Sequence, residues 1–290
     1  MTRAISTVAD VTFFLLFVGA AAAALVHASA LDPAATENPA TEETELLATS
    51  TASVEYALDP PVDPPAWTTN ASARHQRTAH GTLAELLGEA AMSGLTVDGT
   101  RLSTAGTGFE DAVANATRAR LREPTQRHAV RVRWEPYRAA PLNATMRVGE
   151  RPPPSADVST STMTVPSPTA SVGSAAETAA AEDGYEGVAT VVADAVVEGL
   201  FPPEQAQLAL DSDYPEAHLM SRRYERMAAL TDAGNLSPDS TSARTMNADL
   251  TTALVDRFEA DMRRRFDSPA AAADAVETGE ITITVRTWSP

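Results

Sequence analysis

The chain has no cysteine and no lysine, and only 5% of its 290 residues are aromatic. Without cysteine there are no disulfide staples, no thiol catalysis and no Cys-based zinc site. All 22 basic residues are therefore Arg, set against 39 acids for a formal charge of −17. This balance argues against nucleic acid and against an anionic membrane surface as binding partners. The acids are dispersed, which suits a protein kept hydrated in concentrated salt, where repulsion is screened. Apolar residues make up 43%, with Ala the commonest of them, so a core can form although each residue buries little area. Also missing are a Gly-rich phosphate loop, a dinucleotide fingerprint, a nucleophile elbow and a His-Glu-x-x-His motif.

One long apolar run is present. No formally charged residue lies between Asp10 and Asp32. At about 1.5 Å rise per residue, a helix over 11–31 crosses roughly 30 Å of hydrocarbon. It is apolar all round, unlike an amphipathic core helix. Arg3 precedes it, and acids without any base follow until Arg74. The positive-inside rule then places residues 1–10 in the cytoplasm and the bulk of the chain outside. Gly19, Ala20, Ala23 and Ala24 are small residues four apart, a spacing that lets membrane helices pack closely.

Arg3-Ala4-Ile5-Ser6-Thr7-Val8 ahead of that run resembles the start of archaeal type IV pilin-like precursors. There a basic residue and a small residue at the cut precede a helix kept on the mature protein. The resemblance implies processing between Ala4 and Ile5, although Thr7 stands where salt-loving members have Pro. The alternative is secretory cleavage between Ala30 and Leu31, after the small-x-small Ala28-Ser29-Ala30. The whole chain also resembles a haloarchaeal family of single-pass exported proteins. The matching pieces are this N-terminus, Gly199-Leu200-Phe201-Pro202-Pro203 and Val285-Arg286-Thr287-Trp288-Ser289-Pro290. That resemblance implies envelope or pilus assembly and brings no active site.

Beyond the span, residues 32–50 read as a flexible acidic spacer. Residues 51–290 read as an exported α+β domain with an antiparallel or mixed sheet and several helices. Pro60, Pro61, Pro64 and Pro65 make 59–78 an extended loop. A Pro/Ser/Thr-rich stretch over 151–182 reads as an internal linker, within which Val158 to Val165 alternates like one strand.

Thr82-x-x-Glu85 and Thr107-x-x-Glu110 read as capping boxes opening two helices. Apolar periodicity predicts further helices over about 185–199, from Pro215 onward, and over about 242–266. In the last, Met246, Leu250, Leu254, Phe258, Met262 and Phe266 form a core stripe. Val130, Val132 and Trp134, and again Ile281, Ile283 and Val285, alternate with polar residues as half-buried strands. Ser53–Leu58 and Thr145–Val148 are weaker strands.

Candidate site residues are few. His75 and His80 are solvated loop residues with poor metal-ligand spacing, and Asp211-Ser212-Asp213 lacks the rest of a calcium loop. No catalytic, cofactor-binding or metal residue is expected. Residues 101–151 hold ten Arg and five acids, whereas 152–221 hold eleven acids and no Arg. This block either docks on the acidic half of its own domain or offers a face to an acidic partner or glycan. Four of six Asn open sequons, at Asn70, Asn115, Asn143 and Asn235, consistent with an exported surface carrying glycans.

The leading expectation is a non-enzymatic, membrane-anchored envelope protein, pilin-like or accessory to a pilus or secretion assembly. Its partners are the lipid bilayer and other assembly subunits, with no nucleic acid and no cofactor. A solute- or glycan-binding module and an exported hydrolase without a recognisable motif are the alternatives.

Overall fold

The computed structural model describes residues 38–58, 76–122, 126–213, 215–238 and 240–289. They form an α+β fold in which every sheet pairing is antiparallel. Two strands, β1 (Thr51–Ala57) and β2 (Gln76–Thr82), make a ribbon. The main sheet uses β3 (Thr96–Val97), β4 (Thr100–Arg101), β5 (Arg127–Trp134), β6 (Leu142–Gly149), β7 (Val158–Pro166) and β8 (Glu280–Trp288). Its order is β4-β3-β6-β5-β8-β7, so the C-terminal strand lies inside the sheet, between β5 and β7.

The alternation expected for β5 and β8 decides what the sheet buries. Val130, Val132 and Trp134 share one face with Ile281, Ile283 and Val285, and all are buried. Three helices cover that face: α1 (Pro39–Thr49), α2 (Leu83–Ser93) and α3 (Thr107–Arg120). The capping box of α2 forms as expected. Thr82 Oγ1 accepts from the Glu85 backbone N–H at 3.2 Å, and the Thr82 N–H donates to the Glu85 carboxylate at 2.9 Å. That backbone hydrogen bond holds the Glu85 carboxyl below its usual range.

Six helices complete the domain: α4 (Gly173–Glu182), α5 (Gly184–Leu200), α6 (Pro203–Leu210), α7 (Glu216–Thr231), α8 (Ala243–Arg265) and α9 (Pro269–Ala273). Ser242 caps α8, and Met246, Leu250, Leu254, Phe258 and Met262 are fully buried along it, as their spacing predicts. They pack chiefly against α5, whose Val188, Val192 and Val196 face them. Near the C-terminal end of α8, Asp261 accepts from Oη of Tyr137, in the connection between β5 and β6, at 3.2 Å, from Arg264 at 2.9 Å and from Arg265 at 2.7 Å. The Arg run at the helix end is thus partly spent on a buried acid. The turn at 199–203 is a hub. Phe201 is fully buried against Tyr224, with ring centroids 4.6 Å apart, and its carbonyl accepts from Asn247 at 2.7 Å. Gly199 leaves no room for a Cβ beside Pro168 and Thr169.

Four expectations are corrected. Of the spacer at 32–50, residues 39–49 are helix α1, with Ala40 and Leu47 buried over β7 and β8. Its inward stripe also contains Glu43 and Thr44, both buried, so hydropathy does not reveal it. Of the loop at 59–78, residues 76–78 belong to β2, whose sequence has no apolar alternation because the ribbon is largely open. The stretch at 151–182 is not a linker: the strand expected over Val158 to Val165 forms as β7 and pairs along its length with β8, and residues 173–182 form α4. The second capping box does not close: Gly106 is the N-cap without a side-chain bond, and Glu110 is drawn away to Arg101 and Ser93.

Among the described residues no helix is long and apolar enough to cross a membrane. The span expected at 11–31 lies outside those residues, as do 1–10 and 32–37.

Candidate functional site

Side chains alternate across a strand, so burying one set exposes the other. On the face of the main sheet opposite α1, α2 and α3, pairing register assembles three rows. Thr164, Thr282, Arg133 and Thr145 form the first; Thr162, Thr284, Arg131 and Arg147 the second; Thr160, Arg286, Ala129 and Gly149 the third. Arg131, Arg133, Arg147 and Arg286 are exposed, and so are Thr145, Thr160, Thr162 and Thr164. The two central threonines, Thr282 and Thr284, are half-buried between longer neighbours.

The electrostatics of this face are uneven. Arg133 pairs with Glu135, and Glu135, Glu277 and Glu280 gather beside a shallow hollow of about 150 Å³ at that end. Arg131 lines the same hollow and stands directly opposite Arg147 on the neighbouring strand. Arg131, Arg147 and Arg286 form no ion pair among the described residues. Like charges directly opposite each other weaken a sheet. The face can therefore hold anionic groups through forked guanidinium donors, with threonine hydroxyls to complete the hydrogen bonding. It offers no nucleophile–base pair.

The basic block does not dock on the acidic half of its own domain in the way one expectation held. Among the described residues its Arg ion pairs close within the block, Arg101 to Glu110 and Arg133 to Glu135, while His128 of the block lies against Glu43 of α1. Arg120 instead donates to Ser50 at 2.9 Å. The alternation of Arg131 and Arg133 was legible in one strand. So was that of Thr282, Thr284 and Arg286 in another, whereas Arg147 and the threonines of β7 follow the same period-two rule in strands with weaker alternation.

The remaining predicted positions are scattered. Asn115 lies in α3, where Arg118 donates to its Oδ1 at 2.7 Å and its sequon partner Thr117 is fully buried. Asn143 lies in β6, with its side-chain amide donating to the Ala140 carbonyl at 3.3 Å. Asn235 is exposed in the turn between α7 and α8. Asn70, the processing positions Ala4, Ile5, Ala30 and Leu31, and the helix-packing positions Gly19, Ala20, Ala23 and Ala24 lie outside the described residues. His80 falls in β2 rather than a loop, and His75 is outside the described residues. Among the described residues no three His, Asp or Glu side chains converge to hold a metal ion.

The sequence profile of a family of unknown function (DUF7284) matches residues 9–288. No curated protein and no solved structure matches the chain.

Proposed function

The chain belongs to that family of unknown function, and from this premise we propose that it is a non-catalytic, membrane-anchored subunit of a cell-envelope assembly, pilin-like or accessory in kind. In this reading the apolar run at 11–31 tethers it, residues 1–10 stay in the cytoplasm, and the α+β domain works outside the cell. The observation that carries the reading is the like-charge Arg131–Arg147 pair, neither member in an ion pair among the described residues, on an open sheet face of an otherwise acidic molecule. A fold keeps such a local conflict where something else gains from it. The gain proposed is a docking face for an acidic neighbouring subunit.

A second copy of this chain has the complementary chemistry. Glu177, Glu182, Asp183, Glu186, Asp194 and Glu198 are exposed on or beside α4 and α5. Basic sheet against acidic helices uses two different surfaces of one molecule, and such contacts propagate into open assemblies rather than closing as dimers. Small residues at 19, 20, 23 and 24 give the span a packing face of its own.

The test is crosslinking of the full chain in native membranes. Arg131→Glu combined with Arg147→Glu should abolish the crosslinked ladder while the chain still fractionates with membranes. Replacing Gly19, Ala20, Ala23 and Ala24 with Leu should weaken the ladder separately. If the ladder survives the double charge reversal unchanged, the sheet face is not the interface. Turnover of an ester, peptide or glycoside panel by the wild-type chain would overturn the non-catalytic reading.

A further inference from the structure

Away from the sheet face, a second group of Arg residues converges on one pocket. Arg101 from β4 joins Arg222, Arg223 and Arg226 from α7, with Ser103 and Thr104 from the following loop, around about 230 Å³. Two of these cations have acidic partners: Arg101 pairs with Glu110, and Arg222 with Glu225 at 3.1 Å. Arg226 donates only to the Arg101 carbonyl, at 3.4 Å. Arg223 makes no hydrogen bond among the described residues, and its Nε is buried without a partner.

The Arg223 guanidinium lies 5.1 Å from the centroid of the Phe201 ring. Stacking of this kind offsets part of the cost of desolvating a cation, yet it satisfies none of the N–H donors. Burial lowers the pKa of this guanidinium, the direction expected when desolvation opposes the charged form; Glu85 and Glu89 line a neighbouring hollow that Arg223 also borders, with no ion pair to it among the described residues. A purely structural Arg at the end of a helix-packing contact would normally be paired or left to water.

The pocket continues into an apolar one of about 320 Å³. Leu102, Ser103, Leu219 and Arg223 line both, and Met92 and Met220 extend the apolar part, which Glu216, paired with Arg77, also borders. A charged end and an apolar end therefore meet at Arg223.

We infer that this double pocket binds a small amphiphilic phosphate monoester, with its head among Arg101, Arg222, Arg223 and Arg226 and its apolar body against Leu102, Leu219 and Met220. Two unanswered guanidinium groups match a head that carries about −1.5 to −2 at neutral pH. Forked Arg donors and nearby hydroxyls suit its three oxygens. The same chemistry is offered by a phosphomonoester lipid head and by a soluble alkyl phosphate. The inference is independent of the docking role of the sheet.

The probe is hexyl phosphate, titrated into the full chain in a neutral detergent and followed by calorimetry. Saturable one-to-one binding is expected, with hexanol and inorganic phosphate each binding about tenfold more weakly or worse because each lacks one half of the ligand. Arg223→Gln should weaken hexyl phosphate about tenfold or more. Arg226→Gln, at an exposed position that tolerates change, should weaken it too, while the equally charged change Arg118→Gln on α3 should not. Thermal unfolding of each variant separates lost binding from lost folding. Native mass spectrometry then assigns the source. A phospholipid adduct lost in Arg223→Gln identifies a lipid head, and binding of the probe without such an adduct identifies a soluble phosphomonoester. If hexyl phosphate fails to bind the wild-type chain, or binds the folded Arg226→Gln and Arg223→Gln chains equally well, the inference is wrong.

Discussion

Gly149 ends β6 at φ 89°, where a Cβ would run into the His128 carbonyl of the partner strand. Gly149→Ala should cost roughly 1–3 kcal/mol from backbone strain alone, read as a lower urea midpoint at unchanged slope. Two tyrosines report on the interior in a different way. Burial pushes the Tyr224 phenol up to about 12, and burial with the Asp261 carboxylate beside it raises Tyr137 as well. Unfolded tyrosines ionise at about pH 10, so both phenols bind protons more tightly in the folded state. The stability they contribute is complete below that pH and falls as pH rises toward and through about 12, by up to about 1.4 kcal/mol per unit for each tyrosine. Urea unfolding across this alkaline range checks the sign; a flat profile would contradict it. Neither effect is visible in composition, because both depend on what surrounds one atom.

At the scale of elements, α8 is the most predictable part of the chain and the most sensitive. Phe258 is fully buried and meets Tyr137 edge-on at 5.4 Å between centroids. Phe258→Ala should therefore cost about 3–5 kcal/mol, the usual result of removing a core aromatic, measurable by denaturant unfolding. The sheet gives the opposite outcome. Arg147→Thr removes the like-charge pairing with Arg131 and should raise stability by about 0.2–1 kcal/mol, while weakening the crosslinked ladder in membranes. A variant that is more stable yet assembles less would locate the conflict in function rather than in folding. The same comparison explains which elements sequence revealed. The α8 stripe and its Ser242 cap are local signals, and so is the Thr82 box. Helix α1 was hidden because Glu43 and Thr44 occupy half of its inward face. Asp98-Gly99, both at positive φ between β3 and β4, is a hairpin signal that passed unread beside two-residue strands.

For the whole molecule, the charge of −17 makes salt a structural variable. Raising ionic strength from about 0.1 M to about 1 M shortens the screening length from about 10 Å to about 3 Å. Repulsion among dispersed acids should fade, and the thermal midpoint should climb with potassium chloride. A midpoint independent of salt would remove the salt-adapted reading.

The sequence by itself determined the α+β class, most of the long helices and the two central strands, because those rest on periods of two and about four within a single segment. It also carried the absence of cysteine chemistry and the acid excess. The tertiary structure decided that 39–49 and 151–182 belong to the core domain, since β7 and α1 acquire their apolar surroundings from β8, more than a hundred residues away. It decided as well that Arg131 lies opposite Arg147 with Arg286 in the next row, and that Arg101 reaches the arginines of α7. Each strand or helix specifies only which of its own residues face outward. Which outward sets become neighbours is set by the long-range pairing that buries the inward ones.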